Sequence, residues 1–151
     1  MLYIENLSLN NIVKGIHKNK GSESVLIQIV TPGDDFPKSK DKFLEVYRFE
    51  IADLVDREAF DQDEHFTVEH AKQIVKILFD AYSAERNVVV HCNAGLSRSG
   101  AVAFIGRMMG FELRYRNQLP NPNMMRLMES VIMENEDLMT HFEKARRLRF
   151  K

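Results

Sequence analysis

The chain has 151 residues, enough for one domain with a substantial core, and 44% of them are hydrophobic against 28% charged, the balance of an ordinary globular protein. Lys plus Arg number 21 against 22 Asp plus Glu, a formal net charge of -1, so no global field draws the chain to nucleic acid or to an anionic membrane. No apolar run is long enough to span a bilayer, Met1 to Asn6 resembles no secretory leader, and the one cysteine excludes an internal disulfide; the expected setting is the reducing cytoplasm.

No internal repeat, low-complexity tract or Pro/Gly-rich linker divides the chain, which reads as a single domain over residues 1–151. Ser24 to Val30 is apolar and β-branched and stops at Thr31-Pro32-Gly33, the pattern of a buried strand closed by a turn. Asp34 to Lys42 is a polar loop, and Phe43 to Ile51 is a second strand candidate. Ala52 to His65 is acidic and loop-like. Thr67 can cap a helix running to about Tyr82, with Ala71, Ile74, Val75, Leu78 and Tyr82 on its apolar face. Val88 to Val90 is apolar on both sides, as a central parallel strand must be.

From Arg98 to Met109 the pattern is helical, with Gly100, Ala101, Ala103 and Gly106 permitting close packing. Asn121-Pro122 is an N-cap followed by proline at the first helical position. A helical period then runs from Met124 to Ala145, with a break near Asn135. Strands alternating with helices predict an α/β fold built on a parallel sheet. Met124, Met125, Met128, Met133 and Met139 are expected to fill the core. His17, His65, His70 and His141 have no metal-ligand spacing and are expected on the surface or on helix faces. The basic run Lys144 to Lys151 suits a solvated helix end.

The chemistry concentrates in Val88-Val89-Val90-His91-Cys92-Asn93-Ala94-Gly95-Leu96-Ser97-Arg98-Ser99-Gly100. A strand runs into a thiol, five residues follow, and an arginine opens a helix. The loop of Asn93, Ala94, Gly95, Leu96, Ser97 and Arg98 can curl so that its N–H groups point inward as an anion nest, with Gly95 free to take positive φ. The helix beginning near Arg98 adds its positive end. The planar guanidinium of Arg98 matches two phosphate oxygens. The same field favours a Cys92 thiolate at neutral pH. Ser99 can donate to that sulfur and ease its departure. His91 fits a supporting role, anchoring the loop through the backbone, since a thiolate needs no general base.

A departing alkoxide or phenoxide needs a proton, and a carboxylic acid from another loop is the expected source. Asp53, at the end of the second strand candidate, is the first choice. Asp56 is second, followed by Asp61 and Asp63.

His91-Cys92, five residues, then Arg98-Ser99-Gly100 resembles the signature of the cysteine-based protein tyrosine phosphatase superfamily. Ala94-Gly95-Leu96-Ser97-Arg98-Ser99 resembles its small dual-specificity branch. The resemblance implies a central parallel sheet of four or five strands flanked by helices in three α/β/α layers. It implies a two-step, metal-independent reaction through a cysteinyl-phosphate, with no cofactor and with a phosphorylated protein as substrate. It also implies that Asp53 serves as acid and then as base. The chain has no Trp, so the Trp-Pro-Asp loop of large tyrosine-specific members is absent. The loop interior lacks the lysines of phosphoinositide-directed members, and Cys92 lies mid-chain rather than near the N-terminus as in low-molecular-weight members.

Two other readings stay open on sequence alone. One is an RNA 5′-phosphatase of the same superfamily, which calls for more positive charge than this chain carries. The other is a module that binds phosphorylated ligands without turnover.

Overall fold

The computed structural model describes residues 1–53, 66–114 and 119–149. Its frame is a five-stranded, all-parallel sheet in the order β3-β2-β4-β1-β5. The strands are β1 (Tyr3–Ser8), β2 (Ser24–Val30), β3 (Glu45–Glu50), β4 (Asn87–Cys92) and β5 (Glu112–Arg114). The helices are α1 (Leu9–Lys14), α2 (Val68–Ser83), α3 (Arg98–Met109), α4 (Pro122–Met133) and α5 (Glu136–Arg149). Asp56, Asp61, Asp63 and His65 lie outside the described residues.

β4 is central, with Leu7 opposite His91 on one side and Gln28 opposite His91 on the other. Val88, Val89 and Val90 are wholly buried, and each such side chain contributes about 1.5–3 kcal/mol by leaving water. The sheet divides the apolar side chains into two layers. Val25, Ile27, Ile29, Val88 and Val90 face the larger core, shared with α2, α3, α4 and α5. Leu7, Leu26 and Val89 form a smaller one with Ile12 of α1 and Phe43. The three-layer α/β/α arrangement is therefore unequal: among the described residues, one face carries only the six-residue α1 and loop. α3 approaches β1 through Gly106, where a Cβ would lie 2.6 Å from Ile4 Cδ1.

Most elements follow the sequence pattern, and the departures have physical causes. The strand expected over Phe43 to Ile51 pairs only from Glu45 to Glu50. Leu44 and Ile51 each keep one further backbone hydrogen bond, to Ser24 and Val30. α2 is capped by Thr67, whose Oγ1 accepts from the His70 N–H while His70 Nδ1 accepts from the Thr67 N–H. Its inner face buries Ala81, and Tyr82 is half-buried at the margin, edge-on to Phe111 and His141. Met133 is 73% exposed at the end of α4, so it does not fill the core as Met124 and Met128 do. His17 is not a free surface residue: its ring bonds the Asn19 carbonyl and the Asp41 carboxylate.

β1 and β5 carry no clear strand pattern. In β1 the apolar run is broken by Glu5 and Asn6, yet both are buried. Glu5 is tolerated because its carboxylate accepts from the N–H groups of Lys18 and Asn19. β5 has three residues at the sheet edge. No helix among the described residues is long and apolar enough to cross a membrane.

Candidate functional site

All five strands run the same way, so their C-terminal ends share one edge of the sheet, the usual place for a site in a parallel α/β fold. Cys92 ends the central strand there, and α3 begins six residues later at Arg98. Between them the loop is layered. Asn93, Ala94 and Leu96 are exposed on the rim, and Gly95 and Ser97 are intermediate. Cys92, Arg98 and Ser99 form a buried floor.

The loop is strapped from both sides. Gly95 has φ +73°, and a Cβ there would lie 2.7–2.8 Å from backbone atoms of Leu7 and Ser8. Backbone cannot yield as a side chain can, so only glycine fits. Asn6 Nδ2 donates to the Gly95 carbonyl at 2.8 Å, and the Leu9 N–H donates to the Asn93 carbonyl at 3.1 Å. On the opposite side the Leu119 N–H donates to Leu96 O and the Asn121 N–H to Ser97 O.

The sulfur sits inside this curl. Burial raises the Cys92 pKa. Hydrogen bonds from the Ser99 hydroxyl and from the N–H groups of Ser99, Gly95 and Leu96 lower it and prevail, leaving the thiol more acidic than usual. The Ser99 Oγ to Cys92 Sγ distance is 3.0 Å. α3 has no side-chain cap at its N-terminus, so its positive end stays open toward the loop.

Arg98 is buried and anchored at one end. Its Nη1 donates to Thr31 Oγ1 at 3.0 Å and to the Ile51 carbonyl at 2.8 Å. Its Nε is buried and has no hydrogen-bond partner among the described residues. A buried guanidinium N–H without an acceptor is costly, and an oxyanion in the loop is the kind of group that would satisfy it. The bond to Ile51 also ties the chain two residues before Asp53 to the loop.

His91 is wholly buried. Its Nδ1 lies 3.3 Å from the Cys92 carbonyl, to which it donates. Burial pushes its pKa down to about 4; the bond to Cys92 opposes this and the charge of Arg98 adds to it. Unfolding restores an ordinary histidine that binds a proton between pH 6.5 and about 4, which the native ring refuses. Stability should therefore fall as pH drops through that window. Urea unfolding midpoints should show this fall and show less of it in His91→Gln; equal slopes for the two proteins would remove His91 as its source.

Asp53 is exposed and is drawn to the loop. Its Oδ1 accepts from Ser97 Oγ at 2.8 Å and from Asn121 Nδ2 at 2.8 Å. The structure thus gathers Cys92, Ser99, Arg98, His91 and Asp53 around one loop. It adds Asn6, Thr31 and Asn121, which sequence reasoning did not place here. Asn121 was legible only as a helix cap, and Asn6 and Thr31 left no local signal. No group of three or more His, Cys, Asp or Glu side chains able to hold a metal occurs among the described residues.

No family model and no curated protein matches the sequence. Among solved structures, the human tyrosine phosphatase-like serine/threonine/tyrosine-interacting protein superposes with a TM-score of 0.50 at 19% identity, over 72% of this chain and 75% of that one. The fold is tyrosine phosphatase-like. Human DUSP28 (TM-score 0.48, 16% identity, 97% of this chain and 93% of that one) and the Orf virus tyrosine phosphatase OH1 (0.46, 16%, 99% and 72%) superpose with lower scores. Within this phosphatase-like fold the Cys92 loop occupies the C-terminal end of the central strand.

Proposed function

We propose that the protein is a phosphatase, one catalytic domain over residues 1–151, that hydrolyses phosphotyrosine and phosphoserine or phosphothreonine in proteins through a cysteinyl-phosphate. The observation that carries the reading is the floor of the loop. A thiol made acidic by four hydrogen bonds opens the loop, and a buried arginine whose Nε has no acceptor among the described residues closes it. A phosphate monoester dianion needs a nucleophile, charge neutralisation and orientation at one point, and these groups supply all three.

In the first step the Cys92 thiolate attacks phosphorus, and the bond from phosphorus to the leaving oxygen breaks. Arg98 and the inward N–H groups hold the equatorial oxygens, and Asp53 gives the leaving oxygen its proton. In the second step water attacks phosphorus and loses a proton to Asp53. The P–S bond breaks, and the Ser99 hydroxyl steadies the thiolate that departs. Nucleophile and charge neutralisation both come from the protein, so the reading assigns no metal and no cofactor. The test is turnover of p-nitrophenyl phosphate and of phosphotyrosyl and phosphoseryl peptides in excess EDTA. Turnover is expected; tight phosphate binding with no turnover would leave a phospho-ligand-binding module instead.

The acid should matter in proportion to how poor the leaving group is. Asp53→Asn should slow a phosphotyrosyl peptide about 10²-fold or more, and an ester of a strongly acidic phenol far less. Asp56→Asn is the comparison; if it shows this leaving-group dependence and Asp53→Asn does not, the role belongs to Asp56.

A further inference from the structure

The two hydrogen bonds on Asp53 fall on one oxygen. Ser97 Oγ and Asn121 Nδ2 both donate to Oδ1, and no described residue donates to Oδ2. Of the two donors, Asn121 is the one held from several directions. It is 1% exposed. Its Oδ1 accepts from the N–H groups of Asn123 and Met124 at 3.0 and 3.1 Å, capping α4. Its own N–H donates to Ser97 O at 3.0 Å. With the oxygen end of the amide committed to the helix, the nitrogen end is presented to Asp53 in a fixed direction.

We infer that Asn121 is a positioning residue for the acid, holding Asp53 by Oδ1 so that Oδ2 carries the proton that moves. The inference rests on the phosphatase reading above. A neutral carboxylic acid has one carbonyl-type oxygen, which accepts, and one hydroxyl, which donates. With Oδ1 occupied by two donors, the proton is confined to Oδ2. When Oδ2–H is transferred to the leaving oxygen, both donors remain in place on the carboxylate. When water attacks in the second step, Oδ2 takes a proton back. One arrangement therefore serves both protonation states without any donor having to turn. It also links the acid to the anion loop through Ser97 and to α4 through Asn121, so the acid is not carried by its own loop alone. The helix cap explains why an asparagine suits the position: serine and aspartate can cap a helix equally well, but neither offers an N–H to Asp53.

That difference supplies the experiment. Asn121→Asp keeps an acceptor for the α4 N–H groups and sets a carboxylate against Asp53. Asn121→Ser keeps the cap and removes the amide N–H that reaches Asp53. Thermal unfolding of both variants should stay close to that of the native protein, which reports that the cap survives. With a phosphotyrosyl peptide, kcat should fall about tenfold or more in Asn121→Asp and less in Asn121→Ser, while the KM and the inhibition constant for inorganic phosphate change by less than about twofold. With an ester of a strongly acidic phenol, kcat should hold within about twofold, because that leaving group needs little help from an acid. In an Asp53→Asn background, Asn121→Asp should cost nothing further, the non-additivity of two residues acting as one unit.

Equal losses on both esters, or losses that add to those of Asp53→Asn, would overturn the positioning role and leave Asn121 as a cap. If the native protein turned over neither ester, the phosphatase reading itself would fall and this inference with it. Native turnover with an Asn121→Asp loss blind to the leaving group overturns only the inference.

Discussion

Cys92→Ser should abolish turnover of an aryl phosphate, by more than about 10⁴-fold, while keeping affinity for inorganic phosphate. The reason lies in how the sulfur is held. The donors from Ser99, Gly95 and Leu96 overcome the burial that would otherwise keep the thiol neutral. They can tip a thiol toward its anion because a thiol starts near neutrality. A serine hydroxyl starts far above it, and the same donors cannot ionise it. The substitution changes one atom and leaves Arg98 and the loop N–H groups in place, so phosphate should still bind. Activity within about tenfold of the native protein would refute Cys92 as the nucleophile. Iodoacetate should inactivate the native protein, with phosphate protecting it, since the only cysteine is the one in the loop.

Arg98→Lys should cost about 10²–10³-fold in kcat, comparable to losing a fixed donor from an oxyanion site. Lysine keeps the charge but loses two features of the guanidinium. The first is the Nε, buried and without an acceptor among the described residues. The second is the anchored end, where Nη1 binds Thr31 and the carbonyl of Ile51. A planar fork fixed at one end presents its remaining N–H groups in a set direction, whereas an ammonium on a flexible stem does not. Near-normal kcat in Arg98→Lys would show that a point charge is enough and that the anchoring has no catalytic consequence. Because Ile51 stands two residues before Asp53, loss of the anchor should also deepen the leaving-group dependence.

The Cys92 loop was legible because its information is contiguous. Val88 to Gly100 encodes strand, thiol, curl and helix start in sequence order, and each part has a local physical requirement. Gly95 must take positive φ, Arg98 must open a helix, and Val88 to Val90 must be apolar on both sides. For the same reason the limits of β2 and α3 agree with the pattern of their own residues. β1 was hidden because Glu5 and Asn6 break its apolar run, and the partners that make those groups tolerable, Lys18, Asn19 and Gly95, are remote from them in sequence.

What the tertiary structure alone decided is which distant residues meet the loop. Parallel pairing brings the ends of β1, β2, β3 and β4 to one edge in an order unrelated to the order of the chain. That edge delivers Asn6 to the Gly95 carbonyl, Thr31 and Ile51 to Arg98, and Asp53 to Ser97. α4 then starts where its capping asparagine can reach the same carboxylate. None of these contacts leaves a periodicity or a spacing in the sequence, because each joins residues that no single element holds together. The sequence by itself determined the setting of Cys92, which needs only neighbours along the chain; the choice and aim of the groups around it depend on the strand order of the sheet.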